Sequence, residues 1–255
     1  MKALRPFFFI IAITLITGLA CAFGGSTSAT QEPTAQEKGL TVTPKPSKKS
    51  PQTGPTETPD GTDELPGVEP QAYYTETFDG SLDNYTYFNL GKGDETKMSL
   101  SPDNGSLVFD LKDNNLWVYV TYNPYIYKDV VIEVTASNQA KKDNTIGLIC
   151  RYSQKQSWYE FNISQDGSYW IYAYDMHYNK IAEGISTAVN GGQNSNTYRA
   201  SCIGDQLSLK INNTEVKTIR ETKFKFGEGK VGFGVSSFNR TPVTVNVDSF
   251  TISEP

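Results

Sequence analysis

The chain has 255 residues, with 28 acidic against 23 basic side chains and a formal net charge of −5. That balance leaves no surplus of cations to neutralise phosphates, which argues against nucleic acid as a partner. A single histidine and three cysteines without a CxxC spacing leave little for a metal or redox centre built on those residues.

The chain opens MKALRPFFFIIAITLITGLAC. Lys2 and Arg5 form a short positive region, an uncharged apolar run begins at Phe7, and Gly18-Leu19-Ala20 precede Cys21. This is the layout of a bacterial secretory signal. Its end resembles the lipobox of bacterial lipoproteins. The resemblance implies cleavage before Cys21 and acylation of that cysteine, so residues 1–20 are expected to be a lipoprotein signal peptide. Several acyl chains would anchor the protein stably in a bacterial membrane, with the rest of the chain facing the outside. Two alternatives stay open. One is an ordinary cleaved signal with a free Cys21. The other is an uncleaved membrane helix, for which the apolar run is barely long enough.

An exported chain meets an oxidising compartment. If Cys21 carries lipid, Cys150 and Cys202 remain, and two cysteines make one bridge. It would close a loop of about fifty residues, worth roughly 4 kcal/mol in the chain-entropy model. The alternative is two buried free thiols packed as small hydrophobes.

Residues 21–72 are dense in Thr, Pro, Ser, Gly and charge, and almost without aromatic rings. Such a segment cannot bury enough apolar area to offset its ordering entropy. It is expected to be a disordered tether, spanning roughly 40 Å as a coil.

Aromatic residues switch on at Tyr73-Tyr74 and persist to Phe250, so residues 73–255 are expected to form one domain. The apolar runs are short and rich in β formers: SLVFDL, LWVYVTY, DVVIEVTA, TIGLICRY, WYEFNIS, YWIYAYD, YRASCI, QLSLKI, KVGFGVS and VNVDSFTI. Turn residues separate them, and no run has the length and period of a helix. Many short strands at near-regular spacing predict an all-β fold, a two-sheet antiparallel sandwich or a barrel.

One hairpin carries the functional expectation. If Gln165-Asp166-Gly167 is a three-residue turn in WYEFNISQDGSYWIYAYD, Ser164 pairs with Ser168. Ile163 then faces Tyr169, Phe161 faces Ile171 and Tyr159 faces Ala173, forming a core face. The opposite face holds Asn162 beside Trp170, Glu160 beside Tyr172 and Trp158 beside Tyr174. Regular alternation in TIGLICRY sends Ile146, Leu148 and Cys150 to the core and Arg151 to the face of Glu160. That face would present Arg151, Trp158, Glu160, Asn162, Trp170, Tyr172 and Tyr174 outward. Large rings are costly to leave in water without a reason. Rings that stack on a pyranose, mixed with carboxylate, guanidinium and amide groups that hold hydroxyls, suit a carbohydrate. The alternatives are a second small core under a covering segment, or cross-strand ring pairs that only stabilise the sheet.

The strands around IGLICRY, WYEFNISQDGSYWIYAYD, NTYRASCIGDQLSLKINNTEV and GKVGFGVSSF resemble those of concanavalin A-like jelly-roll domains. They are most similar to the DUF1080 (3-keto-disaccharide hydrolase) group, found in bacterial lipoproteins. The resemblance rests on Gly147, Leu148 and Arg151, on Tyr159, Glu160 and Ile163, and on the hairpin glycine, Gly167. It implies a jelly-roll sandwich, and a cysteine pair matching Cys150 and Cys202.

Chemistry on this face is limited. Retaining and inverting glycosidases pair two carboxylates, whereas Glu160 is followed by Asn162. Catalysis would rest on Glu160 as a general acid or base, beside Arg151. His177 lies in a turn. Glu76 and Asp79 open the domain and Asp248 lies in its last strand, so the three form one candidate set for a structural calcium. In the other reading Asp79 caps a turn and Asp248 faces water. No other cofactor is expected. The function expected is non-catalytic carbohydrate binding at the outside of a bacterial membrane. The alternatives are a glycoside-active enzyme using Glu160 and a structural or protein-interaction module.

Overall fold

The computed structural model describes residues 36–40, 70–139, 144–153 and 157–255. The expected signal peptide, Cys21 and most of the expected tether lie outside the described residues. In chain order the first strands are β1 (Lys38–Gly39), β2 (Tyr74–Glu76), β3 (Tyr85–Asn89), β4 (Met98–Pro102), β5 (Leu107–Leu111) and β6 (Trp117–Tyr127). Then come β7 (Val130–Asn138), β8 (Asn144–Ser153), β9 (Ser157–Ser164), β10 (Ser168–Asp175) and β11 (Tyr178–Ile185). The last are β12 (Ser195–Ile203), β13 (Gln206–Ile211), β14 (Thr214–Arg220), β15 (Gly229–Ser237) and β16 (Val243–Ser253). The described residues hold no α-helix, only a short 3-10 turn at Glu95–Lys97.

The strands pair antiparallel in two sheets. The first has the order β1-β3-β6-β15-β8-β9-β10-β11. The second has β14-β13-β12-β7-β16-β5-β4, with β2 also paired to β16. The expected two-sheet antiparallel sandwich is therefore the fold. All ten expected strands are present. The sequence reading missed β11 and β14, edge strands whose burial shows no clean alternation, and the short β1 to β4.

Burial along the strands shows where the core sits. In β7, Val130, Ile132, Val134 and Ala136 are buried and their neighbours are not. In β13, Leu207, Leu209 and Ile211 repeat that period of two. One buried face and one wet face is what an outer sheet of a sandwich requires. Between the sheets, Phe233 packs on Phe250 with ring centroids 4.9 Å apart. Strand β8 departs from alternation: every residue from Asn144 to Tyr152 is buried. The middle of the first sheet is therefore covered on its second face too.

Cys150 on β8 and Cys202 on β12 form a disulfide, with Cα atoms 6.7 Å apart. Both residues face the core from opposite sheets, so the bridge links the two layers.

Five residues of the expected tether depart from that expectation. Strand β1 pairs with β3, Lys38 lying opposite Tyr87. Leu40 is buried with the core cluster. Glu37 accepts hydrogen bonds from the Thr86 hydroxyl at 3.3 Å and the Lys230 ammonium at 3.2 Å. Lys38 pairs with Glu95. Chain entry at residue 70 is held by three tyrosines of β6. The hydroxyls of Tyr125, Tyr122 and Tyr127 donate to the carbonyls of Pro70, Gln71 and Ala72 at 3.0, 2.8 and 2.6 Å.

Candidate functional site

The hairpin β9–β10 takes the expected register: Ile163 opposite Tyr169, Asn162 opposite Trp170, Phe161 opposite Ile171, Glu160 opposite Tyr172, and Trp158 opposite Tyr174. Gly167 closes the turn with φ near +87°, a conformation costly for residues with a Cβ. Its N–H donates to the Ser164 carbonyl at 3.0 Å. Phe161, Ile163 and Ile171 are buried between the sheets, so the alternate residues lie on the outer face.

At the centre of that face sits Glu160, with 0% exposure. Three donors converge on its carboxyl group. The Tyr119 hydroxyl reaches Oε1 at 2.8 Å, the Asn162 amide reaches Oε1 at 2.7 Å, and the Trp158 indole N–H reaches Oε2 at 2.8 Å. Tyr119 and Tyr178 share a further hydroxyl contact of 2.8 Å. Burial raises the Glu160 pKa above its ordinary value, the hydrogen bonds pulling the other way. Burial, and then the nearby Glu160, also push Tyr119 and Tyr178 upward, so both keep their protons.

Two of the expected face residues lie under cover. Trp158 is 1% exposed and Tyr174 6% exposed. Their rings stack with centroids 3.9 Å apart, and Phe88 and Tyr152 complete a small second core. The expected outward presentation of Trp158 and Tyr174 is corrected accordingly. The rest of this sheet brings rings from β3 and from the end of β8 over them, which the hairpin alone does not reveal.

Arg151 does not join Glu160. It has φ near +55°, and the pairing of β8 with β9 shifts register between Cys150 and Ser153. This bulge breaks the alternation on which its expected placement rested. Tyr152 takes the outer face instead. Gly229 stands against the bulge, where a Cβ would lie 2.4 Å from the Arg151 carbonyl carbon. The Arg151 guanidinium lies 5.8 Å from the centroid of the core-facing Tyr159 ring. It donates to the carbonyls of Lys128, Phe226 and Gly204 at 2.9, 3.0 and 2.8 Å, with Asp129 3.5 Å away. Arg151 is thus a clamp on three loops.

Glu160, Asn162, Trp170 and Tyr172 do come together, along a cavity of about 530 Å³. Its remaining wall was not expected: Trp117 and Tyr119 from β6, Thr145 from β8, Tyr178 from β11, Ser236 from β15, and Phe238. The alternation of LWVYVTY does put Trp117 and Tyr119 on one face. That this face joins that of Asn162 depends on β15 and β8 lying between β6 and β9.

His177 is exposed in the turn between β10 and β11. Glu76 lies opposite Phe250, since β2 does pair with β16. Its carboxylate accepts from the Phe78 N–H at 2.7 Å, and that of Asp248 from the Ser106 hydroxyl at 3.0 Å. Among the described residues no three His, Cys, Asp or Glu side chains gather to hold a metal ion.

No protein-family model and no curated protein matches the chain. Solved structures do match. A Bacillus subtilis protein of unknown function with a galectin-like fold aligns at TM-score 0.55 and 10% identity, covering 72% of this chain and 96% of that one. The carbohydrate-binding module CBM66 of B. subtilis aligns at TM-score 0.50 and 12% identity, covering 65% and 94%. A β-glucanase of Bacillus licheniformis aligns at TM-score 0.54 and 12% identity, covering 72% and 99%. At such identities the likeness concerns the fold, and the fold is a galectin-like, concanavalin A-like jelly-roll sandwich.

Proposed function

We propose that this domain binds carbohydrate on the outer face of its first sheet without cleaving it, on a chain anchored through Cys21 at the outside of a bacterial membrane. The observation that carries the reading is the cavity of about 530 Å³, where Trp170 and Tyr172 stand partly exposed beside the Asn162 amide. Rings for stacking and fixed polar groups for hydroxyls are the two things a sugar site needs, and the volume is that of an ordinary ligand pocket. The carbohydrate-binding module and the β-glucanase among the similar structures lend support. Binding is favoured over hydrolysis because, among the described residues, Glu160 is the one carboxylate on the cavity wall, whereas most glycosidases use two. Its oxygens already hold three donors of the fold.

The test is calorimetric titration of the full-length chain with a panel of oligosaccharides, wild type against Trp170→Ala. The variant is expected to bind at least tenfold more weakly, about 1.4 kcal/mol, with little change in melting temperature. Phe161→Ala, in the core, is expected to cost about 3 kcal/mol or more in folding. Loss of folding in Trp170→Ala equal to that in Phe161→Ala, or binding indifferent to Trp170, would overturn the reading.

A further inference from the structure

The face that holds the cavity continues onto the edge strand β11, and there the strand is irregular. Ile171 lies opposite Ala182, but the next residue, Tyr172, lies opposite Lys180, so Ile181 is an extra residue in the ladder. In a regular strand residues three apart face opposite sides. The bulge at Ile181 cancels that rule and puts Lys180 and Glu183 on one side. Burial agrees: Lys180 and Glu183 are exposed, whereas Ile181 and Ala182 are half-buried against the core cluster. Bulges recur next to functional sites, where they re-aim a side chain.

The side that Lys180 and Glu183 share is that of the cavity. Glu183 lies opposite Trp170 and Lys180 opposite Tyr172, the two partly exposed rings of the proposed sugar site. Tyr178, two residues before Lys180, stands on the cavity wall with its ring centroid 5.3 Å from that of Tyr172. The Lys180 ammonium donates to the Glu183 carboxylate at 2.7 Å. The charge of Glu183 is felt at the ring: burial, then Glu160, then Glu183 hold the Tyr172 phenol above its ordinary pKa. An exposed ion pair adds little to stability, so the fold gains little by aiming this one at the rings. Glu160 is fully buried, but the Glu183 side chain is 55% exposed and open to a ligand hydroxyl.

We infer that Lys180 and Glu183 form the rim of the sugar site, where Glu183 accepts hydrogen bonds from hydroxyls of a saccharide stacked on Trp170 and Lys180 holds the carboxylate in position. The inference rests on the carbohydrate-binding reading and adds the residues that read the ligand's hydroxyls. Calorimetric titration of the full-length chain with cellotetraose, laminaritetraose and chitotetraose tests it. Glu183→Gln keeps the shape of the side chain and removes its charge. It should bind the tightest of the three about tenfold more weakly, the scale of a lost hydrogen bond to a charged group, with no change in melting temperature. Lys180→Gln should bind it about threefold more weakly, the scale of an exposed ion pair. Adding Lys180→Gln to Glu183→Gln should cost nothing further, because Lys180 acts through Glu183. Wild-type affinity in Glu183→Gln overturns the inference. A larger loss in Lys180→Gln than in Glu183→Gln, or additive losses in the double variant, overturns the roles given to the two residues. Each of these results leaves the carbohydrate reading intact provided Trp170→Ala still weakens binding. Failure of all three saccharides to bind, or binding indifferent to Trp170, overturns both.

Discussion

Glu160 occupies the position where the sequence offers an acid and the fold decides what kind of acid it is. Fully buried, and with three neutral donors on its carboxyl group, it acts on Tyr119, Trp158 and Asn162 before it can act on anything bound. Its pKa lies above the ordinary value of 4.5 because burial penalises the charged form. The fold therefore favours the protonated state. The stability this contributes is whole below the unfolded pKa and is lost as pH rises through the folded one. Glu160→Gln cannot titrate, and its amide sets a donor against the Trp158 N–H, an unmet pairing worth about 1–3 kcal/mol. The variant is expected to be less stable, and its deficit should shrink as pH rises from about 4 to about 8. Melting temperatures of both proteins across that range are the measurement. A deficit that stays constant or grows with pH would contradict the raised pKa.

At the scale of elements, β8 does three jobs in ten residues. Its first half supplies Thr145 to the cavity, Cys150 ties it to the other sheet, and the bulge that follows sends Arg151 to the loops. The disulfide closes a separation of 52 residues. The chain-entropy model credits such a loop with roughly 4 kcal/mol. Cys202→Ser is accordingly expected to lower the melting temperature by several degrees, read by thermal unfolding of the oxidised protein. Titration that finds two reactive thiols in the purified oxidised wild type would remove the basis for this expectation. The residue pattern made Cys150 legible as a core position, because the facing of side chains along β8 alternates up to Cys150. It failed one residue later. A bulge depends on what the partner strands accommodate, here Gly229, and leaves no mark in the local alternation.

For the whole molecule, five residues of the stretch read as a tether belong to the sandwich. Gln36–Leu40 adds an edge strand to the first sheet and buries Leu40, although its composition matches its surroundings. Attachment to the membrane is proposed to depend on Cys21 and on no part of the sandwich. Expression of full-length Cys21→Ala is therefore expected to release protein to the soluble fraction or to stall its processing, scored by fractionation and by the mass of the product. Processed Cys21→Ala protein that remains with the membrane would refute the lipid anchor.

The sequence by itself determined the fold class, because ten short runs rich in β formers, with turn residues between them, are a local property of each strand. It determined the hairpin register for the same reason, since Gln165-Asp166-Gly167 sets which residues of β9 and β10 meet. Four of the seven face residues follow from that register alone: Glu160, Asn162, Trp170 and Tyr172. Only the tertiary structure decided the rest. Whether Trp158 and Tyr174 meet ligand or neighbours depended on Phe88 and Tyr152 arriving from other strands. Whether Trp117 belongs to the site depended on the order of strands, which places residues far apart in sequence on one row. A strand's own residues specify which side each side chain takes, but what covers that side is a property of the sheet.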